Sequence, residues 1–289
     1  MKRVLVTGAT GFIGRHAAPL LAERGFEVHA AGSKDADLLD PAAAESLVRR
    51  VQPSHLLHFA WYAVPGKFWT APENAAWVEA SIRLLRAFVD AGGERATMSG
   101  SCAEYDWSGT GVLSEKDTPL RPATYYGKCK HALASVGEGL AAERGFGFSW
   151  GRIFFVYGPY EQPDRLVSQV AESLVKGEPT LTSEGTQRRD FLHARDVASA
   201  FVALLDSDVE GPVNIGSGDA VPVRDVVSLI GAAAGRPELV RFGEIPQRAG
   251  DPPLIEADVA RLRDEVGWRP TVSLEEGIRE TVEWWQAIA

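Results

Sequence analysis

Cysteine and methionine are scarce in this chain of 289 residues, two of each. Cys102 and Cys129 are too few for a disulfide framework and lack metal-ligand spacing, so reduced thiols are expected and no metal. A basic excess is missing too. Lys and Arg number 30 against 39 Asp and Glu, a net charge of −9, which leaves no basic run to neutralise phosphates and excludes nucleic acid as a partner. Nowhere do about 18 apolar residues run together, and no charged leader precedes a long apolar stretch. A cytoplasmic protein without membrane contact is expected. Repeats and low-complexity segments are absent. With 45% apolar and 24% charged residues, the composition is that of an ordinary globular protein. The length suits one large α/β unit, or a nucleotide domain with a smaller appendage.

The most informative stretch is the first, MKRVLVTGATGFIG. Val4, Leu5 and Val6 form an apolar run without helical period that stops at Thr7 and Gly8, as a buried parallel strand entering a turn would. Gly8, Gly11 and Gly14 follow at GxxGxxG spacing, and residues 15–24 have helical composition. The first glycine allows the turn, the second lets backbone amides approach a pyrophosphate, and the third lets the helix lie on the strand. A second strand at residues 26–31 completes the signal for a βαβ unit that binds a dinucleotide. Pro19 reads as a kink in the intervening helix.

After Ala31 come Gly32, Ser33 and Lys34, where an acid would bind the adenosine ribose diol and repel a 2′-phosphate. These three positions hold no acid. Ser33 and Lys34 offer a hydroxyl and a cation, and Arg15 is expected to reach the same place, so NADP(H) is favoured over NAD(H); otherwise Lys34 is a solvated loop charge. Asp40 and Pro41 read as cap and first residue of a helix to Val51. Residues 56–60 read as a buried strand in which His58 is a core histidine. The aromatic stretch 61–69 lines a pocket or fills the core. Helical periodicity covers 75–91, a strand ends at Ser101, and a helix runs from Tyr126 to about Arg144. Residues 147–156 read as one strand. Ser273 and Glu276 form a capping box for a last helix whose Trp284 and Trp285 pack on the body.

Ser101, Tyr126 and Lys130 together suit hydride transfer. A tyrosine is a poor proton carrier at neutral pH unless a cation one helical turn away lowers its pKa, and Lys130 stands four residues on. A serine hydroxyl then holds the substrate oxygen in line. With TGATGFIG at the start, Asp37-Leu38, YGKCK at Tyr126, VYGP at Val156, RDFLHARDVA at Arg189, NIGSG at Asn214 and GWRP at Gly267, the chain resembles the extended short-chain dehydrogenase/reductases that act on nucleotide sugars.

That resemblance implies a Rossmann-type doubly wound parallel sheet with a smaller carboxy-terminal α/β substrate domain: residues 1–158 for the dinucleotide, a returning segment near 190–218, and 159–289 mainly for substrate. It implies cofactor contacts from Gly8, Thr10, Gly11, Phe12, Ile13, Gly14, Arg15, Ser33, Lys34, Asp37, Leu38, Phe59, Ala60, Tyr126 and Lys130. Catalysis falls to Ser101, Tyr126 and Lys130, and Arg165, Arg189 and Arg248 meet a nucleotide-sugar substrate, Arg189 and Arg248 at its diphosphate. A homodimer paired through the helices near 75–91 and 126–144 is implied as well. Cys102 and Ala103 stand where the family's dehydratases keep an Asp-Glu pair, and Phe155 and Trp77 replace usual asparagines. Redox at one carbinol carbon remains, most plausibly carbon 4: reduction of a 4-keto-6-deoxy sugar nucleotide, with 4-epimerisation by bound NAD as the alternative and a non-catalytic NADP-binding regulator as a minor one.

Overall fold

The computed structural model describes residues 2–109 and 111–289. Strand Arg3–Thr7 lies inside a six-stranded sheet, which explains why Val4, Leu5 and Val6 are all fully buried. Across this sheet the order is Gly211–Ile215, Gly147–Ile153, Arg95–Ser101, His55–His58, Arg3–Thr7 and Glu27–Ala31, every pair parallel. Alternate residues feed two cores. Val4, Val6 and Leu57 pack with helices Gly14–Glu23 and Ala194–Leu205. Leu5 and Leu56 pack with helices Pro41–Val51, Glu73–Asp90 and Tyr125–Arg144 on the other face. Burial on both faces is what continuous apolar strands require.

Strand order reverses at Arg3–Thr7. The chain goes first to its neighbour Glu27–Ala31 and then returns to pair His55–His58 on the other side. A crevice opens at the carboxyl ends of strands at such a point, and that is where open α/β sheets bind their ligands. The local signals set the helix ends around it. Asp40 accepts from the Ala42 amide at 3.0 Å with Pro41 at the first helical position, and Thr124 accepts from the Gly127 amide at 3.0 Å. Helix Gly14–Glu23 runs through Pro19. Ser273 accepts from the Glu276 amide at 3.2 Å to start helix Leu274–Ile288, where Trp285 is buried.

One expected strand is two. Residues 147–156 change partners at Phe154: Gly147–Ile153 belongs to the large sheet, whereas Phe155–Tyr157 pairs with Phe191–His193. The Phe154 amide still donates to Ile215 O at 3.1 Å, and the next amide, Phe155, donates to Asp190 O at 3.1 Å. Beyond this switch, helices Leu166–Lys176, Val223–Ala233 and Leu274–Ile288 share a third core. A four-stranded sheet there runs Val221–Pro222, Arg188–Arg189, Leu254–Ala257, Val112–Leu113.

The acids of RDFLHARD hold this half together. Asp190, fully buried, accepts from the amides of Ser217, Gly218 and Ala257 at 2.6–3.0 Å. Asp196 accepts from the amides of Thr271 and Val272, both at 2.9 Å. Among the described residues no helix is long and apolar enough to cross a membrane.

Candidate active site

Three glycines shape the turn at the carboxyl end of the first strand, and each has a measurable reason. Gly8 has φ +71°, and a Cβ there would lie 2.7 Å from the Ala60 amide nitrogen. A Cβ on Gly14 would lie 2.2 Å from Gly8 O, so only glycine lets the helix start against the strand. A Cβ on Gly11 would lie 3.1 Å from Gly8 O, to which the Gly11 amide also donates at 3.0 Å. The helix beginning at Gly14 has no side-chain cap and no acid in its first turn. The Arg15 and His16 amides are taken by Gly11 O and Ile13 O at 3.2 and 3.1 Å, so what this end offers an anion is chiefly its positive dipole end, the environment a pyrophosphate takes. A dinucleotide fits this cradle. Its residues 8–14 include exposed Thr10, partly buried Phe12 and Ile13, and the Thr10 side chain lies 2.8 Å from where a Gly32 Cβ would be.

Other expected cofactor residues divide by what their side chains do. Phe59 turns into the core, edge-on to Phe201 at 4.9 Å, so only its backbone and that of Ala60 border the glycine turn. Leu38 is buried with Leu5, and Asp37 accepts from the Leu39 amide at 3.0 Å. Ser33 and Lys34 are exposed at the loop tip. Arg15 turns away from that tip: its guanidinium lies 3.8 Å over the ring of Tyr160, a cation–π contact toward the carboxy-terminal half. The loop also contains an acid that the sequence reading passed over. Asp35 folds back to accept from the Gly32 amide at 2.8 Å.

Ser101 ends the strand Arg95–Ser101 and caps a short 3₁₀ turn, Cys102–Glu104, with which it forms a capping box. The Ser101 amide donates to Glu104 Oε1 at 2.8 Å. Glu104 is wholly buried; it accepts from Trp150 Nε1 at 2.9 Å and pairs with buried Arg152 at 3.0 Å. This network fixes the serine from below. The S-x-x-E spacing at 101–104 was the available signal for it.

Tyr126 stands in the first turn of helix Tyr125–Arg144, near enough to Ser101 for that side chain to pull its phenol pKa down. Aromatic rings enclose it: Phe68 at 4.9 Å, Trp69 at 5.9 Å and Trp61 at 6.4 Å, all edge-on. The aromatic stretch 61–69 therefore walls the site. Lys130 departs from expectation. Its Nζ donates to Ser99 O at 2.7 Å and lies 3.8 Å from the Trp61 ring centroid, but 6.0 Å from that of Tyr126. Burial pulls the ammonium down to about 7, partly opposed by Glu104. The phenol is not lowered; burial pushes it above its usual value, against a smaller downward pull from the Ser101 hydrogen bond, with Arg165 a lesser one. In this conformation desolvation outweighs the lysine, because indole and carbonyl rather than phenol receive the cation.

The three arginines differ in readiness. The Arg165 guanidinium lies 4.9 Å from the Phe68 ring, beside the tyrosine wall. Arg189 is buried and engaged, at 2.7 Å from Asp251 and 2.8 Å from Pro252 O. Arg248 is exposed. Next to this arm a cavity of about 400 Å³ is lined by Leu166, Val170, Gln187, Val223 and Phe242, among others. Thr180 Oγ1 and Gln187 Oε1, from its lining residues, are buried without a partner.

A glycine-turn dinucleotide cradle at the switch point, beside a serine–tyrosine pair with lysine one helical turn on, defines an NAD(P)-dependent oxidoreductase of the short-chain dehydrogenase type. Residues 4–216 match the model of the NAD dependent epimerase/dehydratase family. The chain belongs to that family. It is 30% identical to the UDP-glucose 4-epimerase of Corynebacterium glutamicum, over 93% of this chain and 91% of that protein. Among solved structures it is similar to MoeE5 in complex with UDP-glucose and NAD, with 32% identity, TM-score 0.83 and 99% of each chain covered. It is also similar to Thermus thermophilus UDP-glucose 4-epimerase in complex with NAD, with 27% identity, TM-score 0.86 and coverage of 99% and 100%.

Proposed function

We propose that this enzyme oxidises and re-reduces carbon 4 of a nucleotide-linked sugar and so epimerises it. The observation that carries this reading is that Ser101 and Tyr126 lie close enough for the serine to pull on the phenol, while the two residues directly after Ser101 are Cys102 and Ala103. Cys102 is buried with its thiol pushed far up, and Ala103 cannot carry a proton. Neither residue can remove water or a proton at another carbon, so chemistry is confined to one carbinol. When bound, the nicotinamide supplies the acceptor and donor of hydride. Tyr126 takes the proton of the 4-hydroxyl and returns it, Ser101 holds that oxygen, and the aromatic wall excludes water. Lys130, swung from Trp61, would meet the nicotinamide ribose.

Residues 1–158, with the returning segment 190–218, hold the dinucleotide in this reading, and most of 159–289 holds the substrate. The cavity at Leu166 and Phe242 suits a nucleobase, whose polar edge would pair with Gln187 and Thr180. Arg165 and Arg248 suit its diphosphate; Arg189 joins them once Asp251 releases it. The relatives named as UDP-glucose 4-epimerases support UDP-hexoses as the first substrates to try. A cytoplasmic homodimer is the expected form.

A second reading, reduction of a 4-keto-6-deoxy sugar nucleotide by NADPH, is favoured by the protonated Tyr126 phenol, which is ready to donate rather than accept, and by Lys34 at the loop tip. Two measurements separate the readings. Purified protein that carries NAD(H) and interconverts UDP-glucose and UDP-galactose by NMR supports epimerisation; protein that instead consumes free NADPH with a 4-keto sugar supports reduction. In either case Tyr126→Phe should lower turnover about 100- to 10,000-fold. Unchanged turnover in that variant would remove the catalytic assignment.

A further inference from the structure

We propose that Tyr105 is a positioning residue for the reaction: acting through Arg152 and Glu104, it holds the backbone at Ser101 so that the serine hydroxyl meets the reacting oxygen. The inference rests on the reading of Ser101 as the group that holds that oxygen. Ser101 ends its strand, and the chain turns at once into Cys102–Glu104. Three donors then fill the Glu104 carboxylate. Oε1 accepts from the Ser101 amide at 2.8 Å and from Trp150 Nε1 at 2.9 Å; Oε2 accepts from Arg152 Nε at 3.0 Å and from the same indole at 3.1 Å. Residue 100 has to be glycine for this, because a Cβ there would strike Trp150 Nε1 and lie 2.6 Å from Glu104 Oε1.

The bonds continue away from the site. Arg152 Nη1 donates to the Tyr105 hydroxyl at 3.0 Å, and that hydroxyl donates to Asn214 Oδ1 at 2.7 Å. Burial pushes the Tyr105 phenol up, so it keeps the proton it donates. Asn214 stands opposite Arg152 on the neighbouring strand, and its Nδ2 donates to Leu113 O at 2.8 Å and Asp258 O at 3.1 Å. Ser101 is thus braced across three strands of the large sheet to the edge of the smaller one. Glu104, Tyr105, Arg152 and Asn214 are each at most 2% exposed, too deep to touch substrate or dinucleotide. A buried ion pair adds little net stability over apolar side chains of the same volume. What a fully paired polar network adds is one fixed arrangement, and the group arranged here is the serine. Ser101 Oγ accepts from the Ala103 amide at 3.2 Å within the same turn, which leaves its proton for the substrate oxygen.

Tyr105→Phe tests this, since it keeps the ring and removes the hydroxyl that joins Arg152 to Asn214. Thr281→Val, which loses a buried hydrogen bond to Gly277 O in the last helix, controls for stability alone. With UDP-galactose and NAD, Tyr105→Phe should lower kcat about tenfold, with KM and the dinucleotide Kd within about twofold of wild type. Its pH profile should fall in height without moving along the pH axis, because no charge is removed. Hydrogen–deuterium exchange at the Ser101 amide of the ligand-free protein, read by mass spectrometry, should be at least about tenfold faster in Tyr105→Phe and unchanged in Thr281→Val. A wild-type kcat in Tyr105→Phe, an equal loss in Thr281→Val, a displaced pH profile or an unmoved Ser101 amide would each overturn the proposal. Should the wild type turn over no sugar nucleotide, the function proposed above falls, and the exchange measurement by itself decides whether Tyr105 holds Ser101.

Discussion

Replacing Lys130 by methionine should make the ligand-free protein more stable at neutral pH and change how its stability responds to pH. Burial holds this ammonium at about 7 in the folded chain. In the unfolded chain the same group titrates near about 10.4, so the shift corresponds to roughly 4–5 kcal/mol of differential proton binding. The sign follows from which state holds the proton more tightly. Between the two values the unfolded chain is protonated and the folded one is not, so stability rises with pH across that window; below pH 7 the cost of the buried charge is present in full. Methionine has similar length and no charge, so the variant escapes this dependence. Its advantage over wild type should shrink by about 3 kcal/mol between pH 6 and pH 9. At about 2–4 °C per kcal/mol, that is roughly 6–12 °C in the difference of melting temperatures. Burial also raises the Cys102, Tyr105, Tyr126 and Tyr157 pKa values, but both proteins share those groups and the difference cancels them. Differential scanning fluorimetry of the two ligand-free proteins at half-unit pH steps gives the answer. A gap that stays constant from pH 6 to pH 9 would refute the burial of a chargeable Lys130.

Glu104→Gln leaves Arg152 buried without its counter-charge and should cost about 3–5 kcal/mol in urea denaturation. Because Glu104 also receives the Ser101 amide, turnover should fall by more than any change in KM for substrate. Gly14→Ala places a methyl group 2.2 Å from Gly8 O, where backbone must move. Calorimetry should show at least tenfold weaker dinucleotide binding for that variant, and ordinary affinity would mean the cradle lies elsewhere.

Much of the nucleotide-binding half is legible in the chain because its signals are local. The apolar run 4–6, the glycine spacing, Asp40-Pro41 and Thr124 act within a few residues, and the strand and helix ends they specify lie within one or two residues of where the pattern places them. Long-range choices are not written this way. In FSWGRIFFVY nothing marks Phe154 as the residue where one sheet gives way to another; the partners that decide it, Ile215 and Asp190, lie far along the chain. The pairing of Val112–Leu113 with Leu254–Ala257 is hidden for the same reason. At the site, Tyr-x-x-x-Lys spacing sets the helical face but not the rotamer, and Trp61 and the Ser99 carbonyl decide where the ammonium goes. Asp35 was overlooked because a strand-tip acid is sought at the tip, whereas here a turn returns it.

The outermost strand, Glu27–Ala31, has a partner on one side only. Such a margin invites another molecule to extend the ladder, and ribbons of misassociated copies are the usual result. Here Glu27 sits on that margin, joined by Arg3 and by His29, each at 3.0 Å. Stacking two such charged rims would bring like groups together and strip their water, so crowded solutions of the enzyme should resist fibrous self-association along this margin.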